Sequence, residues 1–150
     1  MSDAIGKDNS SLLNIRLKKE LNLVSEINAF ITGSIDCGLF IISGKLSNDV
    51  SFEELDEQLW STLNEIKTSG VGDQKLNALK NKIRTAKAFQ EQGLLNRSIN
   101  LAYFELLGDA GDINKEEDRY QEIKDVDLCL FAKKLFVKTN CSLLKIHQYD

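Results

Sequence analysis

The amino-acid sequence predicts an α+β domain, in which an antiparallel sheet of about three strands packs against several helices. Three observations carry this expectation. Residues 24–46, VSEINAFITGSIDCGLFIISGKL, are dense in Val, Ile, Phe and Thr and alternate in polarity about a Gly- and Asp-rich break. That pattern marks two strands, about 25–33 and 38–46, joined by a short loop. Residues 51–136 carry apolar positions at three- and four-residue steps with no proline, as amphipathic helices do. Residues 141–147, CSLLKIH, return to a short apolar run that suits a last strand. Strands and helices that run in separate blocks favour helices packed on one face of an antiparallel sheet. A typical sheet has more strands than three.

The elements follow in order. Residues 1–5 suit the tail of a helix, and Gly6–Asn9 a turn. Ser10 or Ser11 is placed to cap a helix over Leu12–Glu20, with Leu12, Ile15 and Leu17 on its buried side. After the hairpin, Ser51 and Glu54 have capping-box spacing. Phe52, Leu55, Leu59, Leu63 and Ile66 then form one apolar stripe, bordered by Trp60. Gly70 ends that helix. A long helix over 73–107 is expected next, with Leu76, Leu79, Ile83 and Ala86 inward and Lys75, Lys80, Lys82, Arg84 and Lys87 outward. Gly93 weakens it by ~1 kcal/mol relative to Ala and is a natural place for a bend. Leu94, Leu95, Ile99, Ala102, Tyr103, Leu106 and Leu107 resume the stripe. GDAGD at 108–112 reads as a turn, and 114–124 as a short polar helix anchored by Tyr120 and Ile123. Asp125 then caps a helix with Leu128, Ala132, Leu135 and Phe136 inward.

The totals bound function. A chain of 150 residues with 42% hydrophobic content is one domain with a real core. Its net charge is −4, and Lys and Arg are dispersed among acids, so no stripe for nucleic acid emerges. No apolar run approaches the ~20 residues of a membrane span, and the first residues lack a signal pattern. The expected location is the cytoplasm or periplasm. Cys37, Cys129 and Cys141 are odd in number and lack metal-ligand spacing, so they are expected to be small buried apolar residues. His147 is the only histidine, so the chain is expected to supply no metal ligands and no catalytic triad. The acids Glu53, Glu54, Asp56 and Glu57 sit where the helix dipole favours anions and read as a solvated face.

Three stretches together carry a resemblance. SDAIGKDNSSLLNIRLKKELNLVSEINAFITGSIDCGLFIISGK (2–45) resembles a loop, helix and G-x-x-x-x-G-x-F hairpin. SFEELDEQLWSTLNEIKTSGVGDQKLNALKNKIRTAKAF (51–89) resembles two helices joined by a Gly-Val turn. NRSINLAYFELLGDAGDINKEEDRYQEIKDVDLCLFAKKLF (96–136) resembles a helix ending in a Leu-Gly-Asp turn, a short helix, and an Ala-Lys-Lys helix. Their order and spacing resemble the C-terminal, non-catalytic domain of the insulinase/pitrilysin family of zinc metallopeptidases, which includes the mitochondrial processing peptidase subunits. The resemblance spans nearly the whole chain.

The resemblance implies a metallohydrolase half-domain that faces a catalytic one and helps enclose a chamber for unfolded peptides. It implies zinc in the parent's catalytic domain, at an inverted His-x-x-Glu-His site. That motif is not in this chain, which is expected to be inactive alone. Active relatives supply an Arg and a Tyr seven residues apart to contact substrate near the zinc. The matching positions are Lys18 and Ser25, the expected substrate-facing residues. Lys lacks the planar fork of Arg, and Ser lacks the tyrosine ring. The expected partners are a catalytic peptidase domain or partner subunit, a peptide substrate, and a second copy paired through an open sheet edge. Strands that open the family domain have no counterpart here, so the chain is expected to be the truncated C-terminal part of a peptidase-like subunit. An alternative implied role is a partner-binding structural domain of an inactive subunit.

Overall fold

A computed structural model describes residues 1–33 and 37–147. The chain folds as helix α1 (Ser2–Ile5), a π-helix (Asn14–Glu20), strands β1 (Val24–Ile31) and β2 (Phe40–Leu46), helices α2 (Phe52–Ser69), α3 (Asp73–Gln90) and α4 (Leu94–Leu107), a 3₁₀ turn (Ala110–Asn114), α5 (Glu116–Glu122) and α6 (Asp125–Leu135). The hairpin break falls on 33–38, of which 34–36 lie outside the described residues.

The two strands pair antiparallel, with Phe30 opposite Ile41 and Ala29 opposite Ile42. Between Val24 and Glu26 the register slips, so Ser25 is an extra residue in β1. Such a bulge turns the strand and re-aims its side chains. It explains why Val24 and Ile27, three apart, are both buried. One sheet face joins the core through Ile27, Ala29 and Phe40, the last edge-on to Phe136 with ring centroids 5.4 Å apart. The other face carries Phe30 at 45% exposure. The helices therefore pack on one side of the sheet, as the separate blocks of strands and helices predict.

The core gathers Ile5, Leu13, Leu17, Leu63, Ile66 and Ala132 around that face. α2 presents Leu63 and Ile66 as its stripe predicts. Ser51 Oγ accepts the Glu54 N–H at 3.1 Å, the first half of the capping box. The returning bond from the Glu54 carboxylate is not made among the described residues. Gly70 closes α2 at φ 69°, and its N–H donates to Ile66 O at 3.0 Å. On α6, Leu128, Ala132 and Phe136 are buried, as their spacing predicts.

Five expectations are corrected. The helix expected over 73–107 is two helices: α3 stops at Gln90, and Gly93, with ψ 118°, is extended and restarts the chain as α4. A residue without Cβ favours that break, and α4 then points its apolar stripe at solvent; Ala86 is exposed as well. The strand expected over 141–147 does not form, because a cleft separates that extended segment from β2. Among the described residues the sheet has two strands. The cysteines are not core residues: Cys37 and Cys141 are exposed and Cys129 is half-buried, since they lie beside rather than on the inward positions. Neither Ser10 nor Ser11 caps the second helix. Asp8 organises that turn, accepting the Ser10 N–H and hydroxyl at 2.9 and 2.6 Å. Asp125 does not cap α6; Asp127 accepts the Lys124 N–H at 2.8 Å instead.

The outward-facing cations of α3 also make specific pairs. Lys80 Nζ donates to Gln121 O at 2.7 Å, Arg84 pairs with Glu117 at 3.0 Å, and Lys87 pairs with Glu116 at 3.1 Å. Lys82 pairs with Asp8. These cations tie α3 to α5 and to the N-terminal turn.

Candidate functional site

The two candidate positions, Lys18 and Ser25, bracket the junction of the π-helix and β1. Leu13 and Leu17 are fully buried on the helix, while Leu12 and Ile15 are half-buried. The wider π-turn shows in the Leu21 N–H, which reaches Arg16 O five residues back at 3.0 Å. Such turns are rare and cluster at functional sites. The chain then reverses through Asn22 at φ 53°, in the left-handed region that Asn tolerates. Leu23 N–H donates to Leu17 O at 2.8 Å and locks the reversal.

Lys18 is half-buried on this junction. Ser25 is exposed at the bulge, with its hydroxyl donating to Lys45 O at 3.2 Å. The family resemblance points to these two positions, and the bulge at Ser25 was not legible in the sequence. Beneath them Asn14 is buried, and its amide donates to Ile27 O at 3.1 Å and to Ser11 Oγ at 3.0 Å. That bridge holds the π-helix against β1 and was not anticipated.

Glu53 is held below the usual carboxylate range, first by the hydrogen bond from Lys145. Asp112 is lowered by Lys115. Both are paired surface acids. His147 packs edge-on against Phe52, with ring centroids 5.0 Å apart. Among the described residues no group of three His, Cys, Asp or Glu is placed to hold a metal ion. The described residues therefore do not fit a zinc site.

A second feature is a cleft of about 650 Å³ between β2, α2, the end of α6 and residues 139–143. Trp60, Leu63 and Phe136 line it, and Asp56 is the one charged lining residue among the described residues. The ammonium groups of Lys67 and Lys138 lie 5.5 and 5.4 Å from the Trp60 ring centre. Each of these two contacts is within cation–π range.

The sequence profile of the family described as the Peptidase M16 inactive domain matches residues 1–83, more than half of the chain. The chain belongs to this family. Its match covers the junction bearing Lys18 and Ser25, and ends within α3. Solved structures extend the fold likeness to the rest of this M16 inactive domain. A protease from Helicobacter pylori is 17% identical with a TM-score of 0.84, over 93% of this chain and 33% of that one. The chain thus spans a third of that protease. A "putative zinc protease" from Bordetella pertussis Tohama I is 21% identical with a TM-score of 0.79, over 93% of this chain and 76% of that one. The inactive peptidase domain of a "putative zinc protease" from Bordetella parapertussis is 18% identical with a TM-score of 0.83, over 99% of this chain and 81% of that one. No curated protein matches the sequence. No helix among the described residues is long and apolar enough to cross a membrane.

Proposed function

We propose that this M16 inactive domain is the C-terminal, non-catalytic part of a zinc metallopeptidase, and that it walls one side of the chamber that encloses the peptide substrate. The observation that carries the reading is the match of residues 1–83 to an inactive peptidase domain. The 33% share of the Helicobacter pylori protease supports a chain that is one part of a longer protein. Zinc and the hydrolytic step then belong to a catalytic domain or partner subunit, which is the partner of this chain.

In this reading Lys18 and Ser25 face the substrate from the π-helix and the bulge. Lys18 offers a single cationic point to a peptide carbonyl or carboxylate, and Ser25 a hydroxyl. Neither reproduces a guanidinium fork or a phenol ring, so they orient and attract rather than polarise a scissile bond. That difference from active relatives favours, as a second reading, a structural subunit whose partner supplies the polarising groups.

The test has two arms. The purified chain is expected to hold no stoichiometric zinc and to cleave no fluorogenic peptide; zinc bound one per chain, or cleavage, overturns the reading. In the parent protein, a photo-crosslinking residue at Ser25 is expected to capture bound peptide, and one at Lys133 on α6 is not. Equal capture at both sites overturns the substrate-facing role.

A further inference from the structure

We propose that the junction of the π-helix and β1 selects acidic peptides, taking substrate segments that carry Asp or Glu. The inference rests on the substrate-facing reading of Lys18 and Ser25, and it names the substrate class for that site. Its basis is local charge. The π-helix and the bulge carry Arg16, Lys18 and Lys19 against Glu20 and Glu26, and Lys45 stands opposite the bulge. Four cations thus meet two carboxylates, in a chain whose net charge is −4. Both carboxylates are engaged: Glu20 pairs with Arg16 at 2.9 Å, and Glu26 accepts from the Asn28 amide at 3.1 Å. Lys18, Lys19 and Lys45 enter no ion pair among the described residues. The cations of α3 differ, since Lys82, Arg84 and Lys87 each have a carboxylate partner. An excess of positive charge therefore remains at the junction.

The bulge gives that charge its setting. Along β1, Val24 is buried, Ser25 and Glu26 are exposed, and Ile27 is buried again, so both residues of the bulge point away from the core. Lys45, the register partner of Glu26, is exposed as well. Its carbonyl accepts the Ser25 hydroxyl at 3.2 Å, which ties the two residues together. On the helix side Lys18 is half-buried, so its side chain has less rotamer freedom to lose on binding than an exposed lysine. An ammonium is a point charge without the planar fork of a guanidinium. It therefore favours any carboxylate within reach over one fixed carbonyl geometry.

The charge of the whole chain makes the inference discriminating. A net charge of −4 attracts basic peptides at long range and repels acidic ones. A preference for acidic peptide thus requires the local excess at Lys18, Lys19 and Lys45. Complementary charge of this kind selects partners and is weakened by salt.

The test places a photo-crosslinking residue at Ser25 in the full 150-residue chain. The probe is biotinyl-Gly-Glu-Ala-Val-Glu-Ala-Gly-amide, compared with the same peptide carrying Gln or Lys in place of both Glu residues. At about 10 mM salt the acidic peptide is expected to be captured about fivefold more than the Gln peptide, and the gap to narrow by about 150 mM. Lys18→Gln with Lys45→Gln is expected to remove the gap. Lys133→Gln with Lys134→Gln, exposed on α6, is expected to keep it. Circular dichroism checks the variants, and the peptide comparison and its salt dependence decide the matter if one unfolds. Equal capture of the acidic and Gln peptides at low salt overturns the charge preference while leaving the substrate-facing reading in place. Stronger capture of the Lys peptide, or an acid preference that survives loss of both lysines, overturns it too. Capture of none of the three peptides overturns the substrate-facing reading and this inference with it.

Discussion

The carboxylate of Asp125 accepts the Val71 N–H at 2.8 Å, joining residues 54 positions apart. It also accepts the Gly72 N–H at 3.3 Å. The first residue of α6 therefore fixes the turn between α2 and α3, satisfying donors just ahead of α3 that have no helical partner. Hydrogen bonds to a charged acceptor contribute about 1.5–3 kcal/mol. Asp125→Ala is expected to lower stability by roughly 1–2 kcal/mol, and Asp125→Asn by less. Urea denaturation of the three proteins checks this; an unchanged midpoint for Asp125→Ala would refute it.

Gly70 makes that bond sterically feasible. It sits at φ 69°, and a Cβ there would lie 2.0 Å from Asp125 Oδ2. Gly70→Ala thus incurs both backbone strain and a displaced carboxylate, at a cost of at least ~1–2 kcal/mol. Because the two residues share one contact, the double variant with Asp125→Ala is expected to cost clearly less than the two single losses added together. A double-mutant cycle by chemical denaturation measures the coupling, and strict additivity would show that the clash is relieved elsewhere.

The contrast between these two residues shows what was legible. Gly70 as a helix stop followed from local chemistry, as did the stripe of α2 and the inward face of α6, because those signals are set within a few residues. The role of Asp125 was misread. Its partner lies 54 positions away, and local spacing offered a nearer use for it as a cap. The same limit applies to Ser25. The resemblance singled it out together with Lys18, but the bulge it occupies depends on how β1 registers on β2. The break at Gly93 was anticipated as a bend, and its full interruption depends on α4 finding no core to join.

Asp8 links folding to pH. Hydrogen bonding from Lys82, then from Ser10, lowers its carboxyl from 3.8 to about 2. A depressed folded value contributes stability that is present above about pH 4 and lost as pH falls toward 2. The pair is partly exposed, so the contribution is under ~1 kcal/mol. Asp8→Asn is expected to flatten the stability profile between roughly pH 4 and pH 2, and to change nothing in its slope near neutrality. Thermal melts across that range test it; an unaltered acid limb would assign acid sensitivity to other carboxylates.

Asn14 is the buried polar bridge beneath Lys18 and Ser25. Its amide donates to Ile27 O at 3.1 Å, and no buried side-chain polar atom among the described residues is left without a partner. Asn14→Leu leaves that carbonyl unsatisfied and forces a larger apolar group against β1. A loss of about 1–3 kcal/mol is expected. Hydrogen exchange should show faster opening of β1 amides in the variant, and Asn14→Asp should not restore them, since a carboxylate cannot donate to Ile27 O.

α4 makes the opposite prediction. It contributes no buried residue, and Leu95 and Leu106 are 73% and 69% exposed on one stripe with Ile99 and Ala102. A contiguous apolar surface of this kind binds hydrophobic dyes and promotes association. Leu95→Glu with Leu106→Lys removes no packed contact, so stability is expected to stay within about 0.5 kcal/mol of the parent sequence. Dye fluorescence is expected to fall, because the exposed apolar stripe is interrupted twice. If the double variant instead lost more than ~1 kcal/mol, α4 would have to be packed in solution, and the stripe would belong to a core rather than to the surface.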